Sequence, residues 1–253
     1  MTIPLQSAIV YGPVRSRRLG ASLGINILPD ARKVCNFNCP YCQYGWTPAD
    51  PDGLPVPKEG WPLPETIAAA ADAALVRDAA VDRITLAGNG EPTLHPDFPA
   101  IVELLRTVRD RRAPRARLAI LSNASTIDDP QIAAALLRID ERYMKLDSGD
   151  PVTLRALNGS RVPIARIVEG LARLKGVILQ SMFTRDANRK IDNTTASAVE
   201  SWVEAVRRIA PTAVHVYTID RAPAWKPLQA IPRAELEALA ERVRALGVEA
   251  LVF

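Results

Sequence analysis

The chain has 253 residues, of which 48% are hydrophobic and 5% aromatic, and its formal net charge is +4. A chain of this length and composition predicts one domain with a full hydrophobic core. It contains no apolar run near the roughly eighteen residues of a membrane span and no signal-peptide design at its start, so we expect a cytoplasmic protein without a membrane partner.

Predicted strands and helices alternate along the chain. Short apolar runs predict strands at residues 23–28, 82–87, 117–122, 143–147, 177–183, 214–219 and 250–253. Amphipathic or alanine-rich patterns predict helices at residues 65–77, 97–111, 129–138, 151–157, 164–175, 195–210 and 233–246. The loops at residues 43–64 and 185–193 carry no recognisable motif, so the sequence does not indicate the substrate.

This alternation predicts an α/β fold in which a parallel sheet is covered by outer helices. Six βα units are too few for a closed eight-unit barrel, so we expect a single-domain, partial (β/α)6 TIM-type barrel. The barrel would span residues 23–253, after an N-terminal extension over residues 1–22. In such barrels the chemistry lies at the carboxyl ends of the strands.

All three cysteines of the chain, Cys35, Cys39 and Cys42, lie in one eight-residue segment, CNFNCPYC. Their odd number does not suit a disulfide framework. A structural zinc site needs four ligands, and His95 or His215 would have to supply the fourth. A redox pair with a bystander cysteine is another alternative. A [4Fe–4S] cluster usually takes four cysteines, so three would leave one iron open to a small chelating molecule.

The spacing C-x3-C-x2-C, with Tyr41 just before the last cysteine, resembles the cluster motif of the radical S-adenosylmethionine (radical SAM) superfamily. The resemblance implies that the three thiolates hold a [4Fe–4S] cluster and that SAM chelates the fourth iron. It also implies reductive cleavage of SAM to a 5′-deoxyadenosyl radical, with Tyr41 beside the adenine. A small electron donor of the flavodoxin or ferredoxin type would then be a partner.

A second motif, GNGEPT at residues 88–93, follows the predicted strand at residues 82–87. Its two glycines allow the backbone to approach a ligand closely. In the radical SAM family a Gly-rich, Glu-containing segment at this place contacts the methionine amino group, and Gly88, Gly90 and Glu91 resemble it. The alternative is an ordinary strand-to-helix turn with a solvated glutamate.

Polar residues at the ends of the later strands are further candidates, because these ends surround the mouth of the barrel. By analogy with the family, the residues expected to hold the ribose and carboxylate of SAM are Asn123, Asp147 and Ser148, with Gln180 as a weaker candidate. Lys145 and Arg221 are weak candidates for a catalytic role. Lys145 could instead simply pair with a carboxylate.

Four segments, at residues 12–20, 88–93, 145–147 and 217–223, look like the radical SAM proteins grouped with the wyosine-forming tRNA enzymes (demethylwyosine synthase). Those enzymes carry extra upstream cysteines for a second cluster, and residues 1–34 here contain none. The substrate is therefore unassigned, and tRNA or another nucleotide is one alternative. Basic clusters at residues 15–18 and 109–117 could meet phosphates, but solvated arginines are the preferred interpretation.

Two further interpretations stay open. The same cluster could break another C–S bond of SAM and transfer its 3-amino-3-carboxypropyl group. The chain could also be a non-catalytic metal-binding or sensor protein that kept the barrel without the chemistry.

Overall fold

The structure is a computed structural model that describes residues 2–48, 59–77, 80–188 and 190–253. The strands are β1 (Val10–Ser16), β2 (Gly20–Ile25), β3 (Arg83–Leu86), β4 (Arg117–Ser122), β5 (Glu141–Lys145), β6 (Val177–Met182), β7 (Thr184–Asp186), β8 (Ala213–Tyr217), β9 (Leu228–Ala230) and β10 (Glu249–Val252). The helices are α1 (Pro64–Arg77), α2 (Phe98–Arg112), α3 (Pro130–Leu137), α4 (Pro151–Asn158), α5 (Ile164–Leu174), α6 (Ala196–Ile209) and α7 (Arg233–Arg244).

One large sheet has the strand order β1-β2-β3-β4-β5-β6-β8-β10. Its strands from β2 to β10 run parallel, and β1 pairs antiparallel with β2 at one edge. The short strands β7 and β9 form a separate antiparallel pair. This mostly parallel sheet with its helices confirms the predicted α/β partial barrel, and it brings the carboxyl ends of the parallel strands to one edge.

The core forms because the strands carry short, nearly continuous apolar runs, as buried parallel strands do. Strand β4, for example, buries Leu118 and Ile120 on the helix side. Side chains that precede the helices satisfy free backbone N–H groups: Asp129 caps α3, Asp150 caps α4 and Thr195 caps α6.

The predicted strands and helices all exist, with ends that shift by a few residues. The largest shift is in β2, which spans Gly20–Ile25 in place of residues 23–28. Strands β1, β7 and β9 were not predicted. The division at residue 22 stays a prediction, and parts of the two motif-free loops, residues 49–58 and 189, lie outside the described residues.

The turn between β1 and β2 folds into the concave face of the sheet. Leu19 in this turn is buried against Ala119 and Tyr143. Arg83 donates a hydrogen bond from Nη1 to the carbonyl oxygen of Leu19 at 2.8 Å. The turn therefore closes the lumen of the sheet at the end formed by the amino termini of the parallel strands. Arg18, in the same turn, extends from that end into the lumen. Among the described residues, none of the helices combines the length and apolarity that a bilayer crossing requires.

Candidate active site

The loop that carries the three cysteines is attached by its backbone to two other parts of the site. The N–H of Val34 donates to the carbonyl oxygen of Asn89 at 2.8 Å, and the N–H of Glu91 donates to the carbonyl oxygen of Val34 at 2.9 Å. Further along, the N–H of Asn38 donates to the carbonyl oxygen of Asn158 at 2.7 Å. The cysteine loop is therefore positioned by the Gly-rich segment on one side and by the end of α4 on the other.

The three thiols line a common cavity of about 280 Å³. Burial raises the pKa of the Cys35 thiol to about 12, and burial also raises the pKa of Cys39. Two side-chain amides donate toward sulfur: Asn123 Nδ2 lies 3.7 Å from Cys35 Sγ, and Asn158 Nδ2 lies 3.3 Å from Cys39 Sγ. Such amide donors suit thiolate ligands, because they stabilise negative charge on the sulfurs.

Among the described residues, no three His, Cys, Asp or Glu side chains are arranged to hold one metal ion. A mononuclear zinc centre would need such a convergence. A cubane does not, because each cysteine then binds a different iron.

The glycines of the GNGEPT segment are required by the fold itself. A Cβ on Gly90, whose φ is +149°, would lie 1.7 Å from the carbonyl oxygen of Val34. A Cβ on Gly88, whose φ is +150°, would lie 2.4 Å from Asn26 Oδ1. The sequence suggested that these glycines admit a ligand. In the structure they allow the close approach of Asn26 and Val34, which lie in the segment that leads into the cysteine loop. Both glycines also line the cavity.

Glu91 is buried, with 2% of its surface exposed, and its carboxylate accepts hydrogen bonds from several neighbours. Its Oε1 accepts from the N–H and hydroxyl of Thr93 and from the hydroxyl of Ser122. Its Oε2 accepts from the N–H of Asn123 at 2.6 Å. Burial raises the pKa of Glu91, and these donors oppose that rise. The solvated glutamate of the alternative interpretation is therefore wrong, because Glu91 is fixed at the cavity wall.

Asp147 contacts residues of the site without lining the cavity itself. Its Oδ2 accepts hydrogen bonds from the Tyr41 hydroxyl and, at 2.9 Å, from Asn158, while its Oδ1 accepts from the N–H of Met182 at 2.8 Å. Burial and the nearby carboxylate raise the pKa of Tyr41 well above its usual value, so the phenol keeps its proton and remains a donor. Asp147 thus holds Tyr41 and Asn158 in place.

Lys145 is a fixed cation in the cavity wall. Its Nζ lies 3.6 Å from Asp147 Oδ2, donates to the Tyr217 hydroxyl at 3.2 Å and lies 5.0 Å from the centre of the Tyr41 ring. Burial opposes its charge, but Asp147 and Tyr217 raise the pKa of Lys145 above its usual value. A lysine that stays protonated supplies positive charge and not a base.

The remaining predicted residues separate into two groups. Asn123 and Gln180 line the cavity with the cysteines, and Arg221 lines an adjoining cavity of about 380 Å³. Ser148 does not reach either cavity, because its hydroxyl exchanges hydrogen bonds with the backbone of Asp150 at the start of α4.

Sequence reasoning missed two residues that the structure brings to the site. Asn158, the last residue of α4, bonds Cys39, Tyr41 and Asp147, and its sequence context gave no signal. Arg18, which was interpreted as solvated, lies in the lumen and lines both cavities. The sequence signal that could have identified Arg18 as a site residue was its position in the segment 12–20, which resembles the wyosine-forming enzymes.

Residues 33–185 match the family model described as the Radical SAM superfamily. The chain therefore belongs to this superfamily, and it is an enzyme whose cofactors are a [4Fe–4S] cluster and SAM.

Its relatives are longer proteins. A UPF0026 protein of Helicobacter pylori is 31% identical over 224 residues, which cover 86% of this chain and 68% of that protein. A protein of Brachyspira hyodysenteriae named GTPase Obg is 26% identical over 235 residues, which cover 92% of this chain and 33% of that protein. The chain thus spans between one third and about two thirds of these curated relatives.

Solved structures show the same fold at low sequence identity. A radical SAM methyltransferase from Sphaerobacter thermophilus superposes with a TM-score of 0.63 at 14% identity, over 92% of this chain and 65% of that one. The structure of TYW1 with a lysine-pyruvate adduct superposes with a TM-score of 0.60 at 15% identity, over 90% of this chain and 74% of that one. The predicted resemblance to the wyosine-forming enzymes is therefore confirmed at the level of the fold.

Proposed function

We propose that this enzyme uses a single [4Fe–4S] cluster, held by Cys35, Cys39 and Cys42, to cleave SAM reductively. With SAM bound, the reduced cluster would supply the one electron that cleaves SAM to methionine and a 5′-deoxyadenosyl radical, which would remove a hydrogen atom from a substrate. The observation that carries the proposal is the backbone link through Val34, which brings the three thiols and the carboxylate of Glu91 to one cavity.

The residues present fit the cluster. The cavity presents three thiols, and amide donors from Asn123 and Asn158 reach two of the sulfurs. Because burial raises the pKa of Cys35 and Cys39, these thiols keep their protons in the protein without metal. Loading with iron and sulfide must therefore release protons, as metal binding to thiols does.

Glu91 and Tyr41 have distinct parts in holding SAM in this proposal. Glu91 presents a fixed carboxylate to the methionine ammonium, and the donors around it keep that carboxylate in place before SAM arrives. Tyr41 lines the wall where the adenine would lie, oriented by Asp147. Ser148 contributes only indirectly, through the turn that begins α4.

The proposal indicates the chemical class of the electron donor and of the substrate. A small flavodoxin or ferredoxin would reduce the cluster, and such a donor places the enzyme in the cytoplasm. The fold shared with TYW1 and the arginines at the cavity mouth support a nucleotide or tRNA substrate as a second candidate.

The test is an anaerobic SAM-cleavage assay. The protein is reconstituted with iron and sulfide and mixed with dithionite and SAM, and the products are identified by mass spectrometry. We expect 5′-deoxyadenosine from the wild type and none from Cys39→Ala. Methylthioadenosine would instead establish 3-amino-3-carboxypropyl transfer. Neither product from a protein with a full cluster would contradict the proposal and favour the sensor interpretation.

A further inference from the structure

The lumen of the sheet contains a cation, Arg18, that has no anionic partner in the part of the chain that the structure describes. Arg18 rises from the turn between β1 and β2, donates from Nη1 to Gln180 Oε1 at 2.8 Å, and lies 4.3 Å from the centre of the Tyr217 ring. Both of these partners are neutral. Among the described residues, no carboxylate lies within ion-pair distance of Arg18.

Arg18 differs in this respect from the other basic cluster of the chain. Arg109 binds Asp110 and Asp140, and Arg111 and Arg112 both bind Asp72. Each of these three arginines therefore has a carboxylate partner. Arg18 is half-buried, and a buried charge costs free energy unless an opposite charge joins it.

A second group beside Arg18 also lacks a partner. Gln180 is only 6% exposed, and its Nε2 is buried with no hydrogen-bond partner among the described residues. Its Oε1 is occupied by Arg18, so the free amide N–H groups and the guanidinium are held side by side. Buried donors are nearly always satisfied, and one that is not indicates a missing acceptor.

These donors lie where the two cavities of the site meet. Five residues line both the cysteine cavity and the adjoining cavity of about 380 Å³: Arg18, Tyr41, Cys42, Gln43 and Tyr217. Gln180 lines the cysteine cavity. The mouth of the second cavity adds three exposed arginines, Arg15, Arg17 and Arg221, and the carboxylate of Asp220, which pairs with Arg17 at 2.9 Å. Its volume suits a small molecule more than a folded polynucleotide.

The carboxylate proposed to hold the SAM ammonium lies on the other side of the lumen, whereas Tyr41, proposed to lie beside the adenine, lines both cavities. Glu91 and Asn123 follow β3 and β4, whereas Gln180 is on β6 and Tyr217 ends β8. The carboxylate of Glu91 is satisfied within its own half, so it does not neutralise Arg18.

We propose that the substrate is a small molecule with an oxyanion, a phosphate or a carboxylate, and that Arg18 and the Gln180 amide bind this group at the junction of the two cavities. The proposal rests on the proposed function, since it assigns the substrate class of the same site. Arg15 and Arg221 attract the anion at the mouth, and Arg18 and Gln180 fix it.

The test uses the reconstituted protein with SAM bound and no reductant, so that binding is measured without turnover. Inorganic phosphate and succinate are titrated separately by isothermal calorimetry. We expect one saturable site for at least one of them, and a rise in Kd of about tenfold or more in Arg18→Gln. The probe that binds more tightly identifies the kind of oxyanion.

Arg17→Gln is the matched control, because Arg17 is in the same turn but is exposed and already paired with Asp220 at 2.9 Å. We expect its Kd to change less than about twofold. Gln180→Leu, which keeps the size of the side chain, should also weaken binding and serves if Arg18→Gln fails to fold.

Three results would overturn the inference. One is that neither probe binds the wild type; another is that the Arg17 and Arg18 variants lose affinity equally. The third is that a tRNA transcript binds while both probes fail, which would make the substrate a polynucleotide. Cluster content and SAM binding are measured on the same samples, so a failure of the proposed function is seen separately from a failure of the anion site.

Discussion

The two halves of the barrel mouth differ in how completely their polar groups are satisfied. In the first half, at the ends of β3 and β4, the carboxylate of Glu91 accepts hydrogen bonds from Thr93, Ser122 and Asn123. In the second half, on β6 and β8 and the turn below them, Arg18 has no carboxylate, and Gln180 Nε2 and His215 Nδ1 have no partner among the described residues.

This difference indicates what each half is built to receive. A satisfied network is rigid and already holds the geometry that a fixed cofactor needs. An unsatisfied set of buried donors is costly in the free protein and is relieved when an acceptor binds. We therefore assign the methionine end of SAM to the first half and the variable substrate to the second.

The largest effect is expected at the loop that joins both halves. Cys39→Ala removes one of the three thiols on which a full cluster depends, since no cysteine lies elsewhere in the chain. We expect loss of the [4Fe–4S] absorbance, an iron content below four per chain, and no 5′-deoxyadenosine. Ser148→Ala is the control, because the partner of that hydroxyl among the described residues is Asp150. A Cys39→Ala protein that keeps a full cluster and cleaves SAM would refute the ligand assignment.

Gly90→Ala tests the rigidity of the first half. The new Cβ would lie 1.7 Å from the carbonyl oxygen of Val34, so the bridge to the cysteine loop must open. We expect the free energy of unfolding to fall by at least roughly 3 kcal/mol, measured by urea denaturation. Gly60→Ala is the matched control, because Gly60 also has a positive φ, +84°, but a Cβ there would meet no atom within 4 Å. Equal losses in the two variants would show that the bridge contributes little.

The pKa of His215 is sensitive to the positive charge of Arg18 in the second half of the barrel mouth. Burial, and after it the charge of Arg18, lower the pKa of His215 to about 4, although the charge of Glu141 opposes them. Because the folded-state pKa lies below the usual 6.5, the unfolded chain takes up the proton first, and stability is lost as the pH falls from 6.5 to about 4. This contribution should be on the order of 3 kcal/mol in the apo protein and absent in His215→Phe.

The pKa of His215 also provides a test for an anion bound at Arg18. Such an anion would cancel part of the positive charge, so phosphate or succinate should raise the pKa of His215 in an NMR titration. The chain has only one other histidine, His95, which lies near Pro62 and Asp97 and should not respond. A response of both histidines, or of neither, would contradict a local anion site.

The smallest effect is expected at Asn158. Its Nδ2 donates toward Cys39 Sγ at 3.3 Å, and a donor to sulfur favours the reduced cluster. Removal of one such bond in Asn158→Ala, worth about 1 kcal/mol, should make the reduction potential more negative by roughly 40 mV. The potential is followed by EPR during a redox titration, with Ser148→Ala as the control. An unchanged potential would mean that this contact does not tune the cluster.

The sequence predicted the helices and the parallel strands well, because buried strands and amphipathic helices have clear periods. It did not predict β1, which is an edge strand with Pro13 and exposed Val14 and Arg15 and hence no alternating pattern. Strands β7 and β9 have three residues each and are too short for any period.

Within the site, the cysteines and the Gly-rich segment were recognised because spacing and residue type carry their own signal. The reason that position 90 requires glycine is apparent only in the structure, where a Cβ would collide with the carbonyl oxygen of Val34. Arg18 and Asn158 depend on contacts across more than a hundred residues of chain, such as Arg18 with Gln180, which no local pattern records.

The most direct test of the two-half account is a crossed binding experiment on the reconstituted protein. SAM and then the tighter of the two anion probes are titrated by calorimetry into wild type, Glu91→Gln and Arg18→Gln. The account predicts that Glu91→Gln weakens SAM and leaves the anion unchanged, and that Arg18→Gln does the reverse. Equal loss of both ligands in both variants would contradict it, because the mouth would then be a single undivided site.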